Sequence, residues 1–578
     1  MFNNQVYFAN HENVSRFINR WDLLLLIFVF AILFFMSWAS GQMAIPYSLG
    51  TPLPISLEPS NLPLYALRTV SRMFIALLLS IVFTFIVGSL AAKNRRAEQI
   101  IIPAIDVLQS VPVLSFLAIS VTSFIHLFPG SLLGPECAAI FVIFTAQVWN
   151  MTFSFYQSLK SVPPDLHEVA SMFQLSAWQR FWKVEVPCTL SGLLWNMMMS
   201  MSASWFFVVV SEAIVVAHQD IRLPGVGSYI ALAIEQRDLH AVGFAILSMI
   251  VVIFLYDQIL FRPLIAWSEK FKIDQSTEEE YQSWVIDLIR RSRLIKHVDT
   301  GWHIFKDVVV NARWLSRRQA KRVKEVDFSR QRQMDWVWNV LFIAVIGSSG
   351  YFLLTYILVP LNMREVLHVF FLGAATGTRV IVLIILSSLV WIPVGVWVGQ
   401  RPHLAQKIQP VIQFFAAFPA NLFYPLFVIA IVRFNLNVEI WVTPLMILGT
   451  QWYILFNVIA GASMIPRDLC LAADNFGVTG WQWWKRLALP GIFPFYITGA
   501  ITAAGGAWNA SIVAECVSWG STTLKASGLG EYIQTNTLAG DFPKIALGTA
   551  MMCIYVLIFN HLIWRPLYRL AQERFNFN

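Results

Sequence analysis

The amino-acid sequence predicts an all-α polytopic membrane protein built as two parallel repeats of about six transmembrane helices each, and three observations carry that expectation. Hydrophobic residues make up 57% of the 578 and charged residues only 13%, with a mean hydropathy of +0.62, far from soluble-domain usage. Apolar runs long enough to cross a bilayer recur about a dozen times, the first being Leu23 to Trp38. The chain also repeats itself. Pro163, Trp178-Gln179, Pro187, Trp205, Glu212, Gly225-x-Gly227-x-Tyr229 and Arg262-Pro263-Leu264 recur 303 residues later as Pro466, Trp481-Gln482, Pro490, Trp508, Glu515, Gly528-x-Gly530-x-Tyr532 and Arg565-Pro566-Leu567. Upstream the offset is 307, aligning Arg72 with Arg379, Gly88 with Gly395, Pro103 with Pro410 and Pro112 with Pro419.

In chain order, the first copy predicts spans near 22–40, 64–92, 105–128, 136–160, 187–217 and 240–264. The second predicts them near 336–358, 373–399, 408–432, 438–464, 490–516 and 543–564. The run at Leu23 follows Arg16 and Arg20 and lacks a small-residue cleavage site, so it reads as a retained first span rather than a removable signal. The domains are then 1–267, a basic linker over 268–335, and 336–578. An even number of spans per copy puts equivalent loops on one side, and basic residues identify it: Lys93, Arg95, Arg96, Arg180, Lys183, Arg401, Lys407, Lys485 and Arg486 share it, whereas Gln42 to Pro63 holds no Lys or Arg. That side is cytoplasmic, with both termini and the linker. Between Arg290 and Arg332 stand thirteen Lys/Arg against four Asp/Glu, which exceeds the chain's whole net charge of +8; this is positive-inside bias, and it excludes a nucleic-acid face. The linker also carries an acidic start, Ser276 to Tyr281, and apolar Val285, Leu288 and Ile289 at helical spacing, predicting surface helices.

The repeated hinges lie at Asp165 to Pro187 and Asp468 to Pro490. In each, an aspartate after a proline-containing turn is placed to cap a short helix. A break follows, where Gly477 suits a left-handed residue, and then an aromatic and basic segment leads into a span beginning at proline. One such helix reads as an interfacial anchor; two on a shared face favour docking to a pair of identical cytoplasmic partners.

These hinges resemble the EAA loop of binding-protein-dependent ABC importer permeases, E-A-A-x(3)-G followed by Leu-Pro. The matching residues are Glu168-Val169-Ala170 with Pro187, and Ala472-Ala473-x(3)-Gly477 with Leu489-Pro490. Gly505 to Glu515 and Ser527 to Ile533 resemble the nitrate/sulfonate/taurine/bicarbonate branch, echoed in the first copy by "SASWFFVVVSE" and "LPGVGSYI". Two departures stand out: Gln174 replaces the glycine in copy one, and Leu471 replaces the glutamate in copy two. The resemblance implies a type I ABC importer permease-like fold in the bacterial inner membrane. It further implies that Asp165, Glu168, Ala170, Gln174, Pro187, Asp468, Ala472, Ala473, Gly477 and Pro490 belong to coupling loops that enter two cytoplasmic ATP-binding subunits, with an extracytoplasmic solute-binding protein as a further partner. The dipeptide Gly-Lys of a phosphate-cradling loop never occurs, so ATP is used by the partner subunits and no cofactor is expected on this chain.

Charged residues inside spans are the remaining candidates. Glu212 lies about 37 Å along a helix from Pro187, and Arg72 about 31 Å from Lys93, which puts both near the outer mouth together with Arg379 and Glu515. Two readings stay open: a structural ion pair in each repeat, or arginines that draw an anionic solute toward a path also lined by Trp205 and Trp508. "LPGVG" and "ASGLG" are candidates for outer re-entrant turns. The five cysteines and the scattered histidines lack ligand spacing, and Asp257 is matched by Asn560, so neither a metal nor a symmetric proton site is assigned. The leading function is the fused permease of an anion importer, with a secondary transporter of two parallel repeats as the alternative and a membrane enzyme or scaffold last.

Overall fold

The computed structural model describes residues 53–216, 219–268, 284–286 and 328–574, with Phe30, Gly41, Met43, Pro46 and Tyr47. The span expected at 22–40 and most of the 268–335 linker lie outside the described residues.

The first repeat runs α1 (Pro59–Lys93), α2 (Arg95–Ser110), α3 (Leu117–Leu127), α4 (Leu133–Lys160), a short α5 (Pro164–Met172), α6 (Ala177–Glu212), a hairpin of β1 (Ala213–Val216) and β2 (Gln219–Arg222), α7 (Val226–Glu235) and α8 (Leu239–Trp267). The second repeats the order with α9 (Phe328–Leu358), α10 (Met363–Gly399), α11 (Pro402–Ala417), α12 (Tyr424–Arg433), α13 (Val438–Ile447), α14 (Gln451–Ser463), α15 (Arg467–Asn475), α16 (Gly480–Ala514), β3 (Cys516–Trp519), β4 (Thr522–Lys525), α17 (Leu529–Ala539) and α18 (Phe542–Ala571). Among the described residues seven helices are long and apolar enough to cross a membrane, and two bent pairs bring the number to nine.

Three expectations change in detail. The segment 105–128 is broken: the helix stops at Ser110 before Pro112 and restarts at Leu117, because the residue before a proline is forced out of helical conformation. Its counterpart bends by 75° at Pro419. Second, the span read as 187–217 ends at Glu212, and the apolar run Ala213–Val216 forms a strand paired antiparallel with Gln219–Arg222. β-Branched residues suit that extended backbone, and the second copy does the same at Cys516–Trp519. Third, Asp165 and Asp468 stand in the first helical turn after Pro163 and Pro466 and make no capping bond, so any help they give is electrostatic. In addition, α9 starts at Phe328, inside the stretch read as linker.

The repeated prolines leave a common mark. π turns cover Phe181–Glu185, Asp257–Phe261, Trp484–Ala488 and Asn560–Trp564, each ending two residues before Pro187, Pro263, Pro490 or Pro566. A proline lacks the N–H that would bond the carbonyl one turn back, and the widened turn absorbs the mismatch without ending the helix. The aromatic hinge segments therefore run unbroken into α6 and α16. Each repeat has its own core, with Met73, Met151, Met201 and Tyr229 fully buried in the first and Ile454, Ala503, Ala507 and Leu445 in the second. The small residues Gly499, Ala500, Ala503 and Ala507 on α16 let α14 approach closely. The repeats are tied together at the ends away from the hinges, where Gly520 N–H donates to the Ile234 carbonyl at 2.9 Å and Arg237 donates to the Ser521 hydroxyl at 2.6 Å. Deeper, Val113 N–H donates to the Asn509 side chain at 2.7 Å.

Candidate functional site

At the hinge end, α5 and α15 are nine-residue helices joined by tight turns to the long helices α6 and α16. Gln174 and Gly477 occupy the same position and both adopt left-handed backbone, with φ of 51° and 65°. The position that the motif reserves for glycine thus keeps its conformation in both copies. Ala170 is buried against the body, whereas Asp165, Glu168 and Asp468 are exposed and Ala472 and Ala473 half-buried. Pro187 and Pro490 stand within the long helices α6 and α16, just after their π turns. Sequence reading did not single out Phe173 and Phe476, equivalent aromatics that are 75% and 85% exposed, nor Met172 at 81%.

At the opposite end the structure brings Arg72 and Glu212 together, and adds residues that sequence reading missed. Arg72 on α1 makes a two-pronged bridge to Glu136 at the start of α4, at 2.6 and 2.7 Å, and donates to Glu212 at the end of α6 at 2.6 Å and to the Pro224 carbonyl at 3.0 Å. Thr69, one turn earlier, donates to Glu212 at 2.7 Å and accepts from Val226 N–H. Gly227 N–H completes the set at 2.7 Å from the other Glu212 oxygen. A Cβ at Gly225 would collide with the Glu212 carboxyl, and one at Gly227 with the Val209 carbonyl, so the two glycines are required by close approach of backbone to the acid. "LPGVG" is thereby the lead into α7, folded onto Glu212.

The second copy repeats the clamp. Arg379 donates to Glu515 at 3.0 Å and pairs with Glu439; Thr376 donates to Glu515 at 2.9 Å, and Gly530 N–H does so at 2.7 Å. The copies differ in exposure. Arg72, Glu136 and Glu212 are essentially buried, and the nearby, nearly buried Arg68 adds a second positive charge, whereas Glu439 is 46% exposed and Ala375 takes the place of Arg68. Water can screen the second clamp's surplus negative charge; the first supplies a counter-charge.

Among the described residues, cavities open between the repeats. One of about 330 Å³ is formed by α6, α8 and α11, and Trp205 borders it; a smaller one of about 60 Å³ lies between α6 and α16, with Ser202, Phe206, Thr450, Gly506 and Asn509 among its walls. Trp205 packs edge-on against Tyr256 at 5.6 Å and Trp508 stacks on Tyr555 at 6.4 Å. Of Arg72, Trp205, Glu212, Arg379, Trp508 and Glu515, only Trp205 touches either cavity.

The sequence that folds with clamps at one end and twin short helices at the other is similar to that of known proteins. Residues 84–262 and 391–572 each match the family described as binding-protein-dependent transport system inner membrane component. Among similar proteins are the nitrate import permease protein NrtB of Leptolyngbya laminosa, 27% identical over 25% of this chain and 49% of that protein, and the bicarbonate transport system permease protein CmpB of Synechococcus elongatus, 23% identical over 32% and 60%. The taurine transport system permease protein TauC of Escherichia coli is 27% identical over 30% of this chain and 62% of its own length. The matches to these relatives thus span about half to three fifths of their length. With two matched stretches covering most of both repeats, the chain belongs to the inner membrane component family of binding-protein-dependent transport systems, and carries its module twice.

Proposed function

We propose that this chain is the fused permease of a bacterial inner-membrane importer, in which residues 1–267 and 336–578 each act as one half and 268–335 joins them. Both termini and the linker face the cytoplasm. Two separate ATP-binding subunits dock on α5 and α15 and supply the energy; an extracytoplasmic solute-binding protein delivers the solute above the outer clamps. The chain itself binds no ATP. The observation that carries this reading is the pair Phe173 and Phe476, large aromatics held in the open at one repeated position, in the tight turns that join α5 and α15 to the two central spans. An exposed aromatic beside a short amphipathic helix is the kind of anchor that fills a partner's groove.

The solute we propose is a small anion, in line with the nitrate, bicarbonate and taurine named for the relatives. Arg72 and Arg379 are committed to carboxylates, so their part is to hold the outer ends of each repeat together. The route is assigned to the α6–α16 interface, along the smaller cavity bordered by Ser202, Thr450, Gly506 and Asn509. Hydroxyl and amide donors there, rather than a fixed positive charge, would select the anion. Ala472→Glu or Ala473→Glu tests the coupling: uptake should fall at least tenfold and solute-stimulated ATP hydrolysis should vanish while the chain still inserts. Unchanged uptake would refute it.

A further inference from the structure

The larger cavity differs between the repeats in a way that packing alone does not explain. Its floor is apolar, with Trp205, Met201 and Phe414, and its open side is bordered by Phe254 and Val411, which are 55% and 51% exposed on membrane-spanning helices. Its volume of about 330 Å³ falls at the lower end of the range of small-molecule sites. One end is polar. Asp257 pairs with Arg262 at 3.2 Å and accepts from Gln258 at 3.3 Å, Gln413 donates to its other oxygen at 3.4 Å, and only the Nε of Arg262 is engaged among the described residues. Tyr256 lines the same space, and its hydroxyl is buried with no partner among the described residues. The equivalent positions in the second copy are Phe559 and Asn560. There the Phe559 ring fills the space against Gly377 and Trp508. A phenylalanine at position 256 would spare the first copy an unsatisfied hydroxyl, and an asparagine at 257 would spare it a carboxylate in a span. Both polar groups are explained by a ligand that meets them.

We propose that this cavity binds one phospholipid with a primary-amine headgroup. The ammonium meets Asp257, the phosphate meets the free guanidinium nitrogens of Arg262, an ester carbonyl accepts from Tyr256, and an acyl chain lies along Phe254, Trp205 and Phe414. The site lies toward the end of α8 that leads into the basic linker, where headgroups stand. An anionic lipid without the amine would leave Asp257 facing a phosphate. The site occurs once per chain, since Phe559 and Asn560 offer neither hydroxyl nor charge.

The test is native mass spectrometry of the intact chain, purified in mild detergent and washed, then exposed to equal amounts of phosphatidylethanolamine and phosphatidylglycerol. One phosphatidylethanolamine per chain should be retained in preference to phosphatidylglycerol. Asp257→Asn should lower that retention at least tenfold, and the near-isosteric Tyr256→Phe about fivefold, the worth of one neutral hydrogen bond. Thr498→Ala, on a different face, should leave it unchanged. No retained lipid in the native chain, equal retention of phosphatidylglycerol, or undiminished retention in both Asp257→Asn and Tyr256→Phe would overturn the proposal.

Discussion

Arg72 shows how a single buried charge organises a membrane helix bundle. Its guanidinium is shared by two carboxylates and a carbonyl, and none of the three side chains reaches solvent. Replacing it with glutamine leaves Glu136 and Glu212 unpaired, so Arg72→Gln should destabilise the chain by about 3–5 kcal/mol, read as a lower thermal midpoint in detergent. Adding Glu212→Gln should restore only part of the loss, because Glu136 stays behind. Arg379→Gln should do less damage, since Glu439 is already half in water. A second residue-scale prediction concerns Gln174, whose left-handed φ of 51° strains a side chain that glycine would lack. Gln174→Gly should raise stability by about 1 kcal/mol, and Gly477→Gln should lower it by a similar amount. Arg72, Glu212, Arg379 and Glu515 were legible as ionisable residues in spans. Glu136 and Glu439 were not singled out: they stand at the starts of the spans read as 136–160 and 438–464, where an acid passes for an ordinary span-end residue, and nothing local reports the arginine beside each. Thr69 and Thr376 were hidden by being ordinary helical residues.

Among the elements, the strand pairs and the glycine-led helices α7 and α17 could not be read in advance. Ala213–Val216 continues an apolar run, and periodicity cannot tell the last turn of a span from a short strand. The repeated glycines were visible, but their reason is tertiary: Gly227 and Gly530 lie against the carbonyls of Val209 and Ser511, which no side chain can share. Gly227→Ala or Gly530→Ala should therefore cost about 1–3 kcal/mol by overpacking and open the contact between α7 or α17 and its glutamate, raising hydrogen exchange at Val226–Glu235 or Leu529–Ala539. The hinge prolines were legible as helix starts; the structure shows them inside continuous helices, reached through π turns. A movement that reaches the start of α6 or α16 through the tight turn can thus be carried along that helix past its proline without a break.

For the whole molecule, the duplication was plain in the sequence because proline, tryptophan and glycine recur at fixed offsets, and their roles are geometric. The asymmetry between copies was legible only in part. Gln174 and Leu471 showed it at the hinges, whereas Arg68 against Ala375 and Tyr256 against Phe559 acquire meaning only when clamp and cavity are assembled. The proposed topology places the basic linker on the same side as the hinges, so cysteines introduced at Ser276, at Phe173 and after Arg574 should all react with an impermeant thiol reagent only in inverted vesicles; labelling of any one in intact cells would refute it. The central claim is that each repeat docks one ATP-binding subunit through its exposed aromatic. Native mass measurement of the chain co-expressed with its ATP-binding subunit tests this directly. The account predicts two such subunits per chain, one for Phe173→Ala or Phe476→Ala alone, and none for the double variant; two subunits retained in the double variant, or solute transport by the purified chain with none bound, would contradict it.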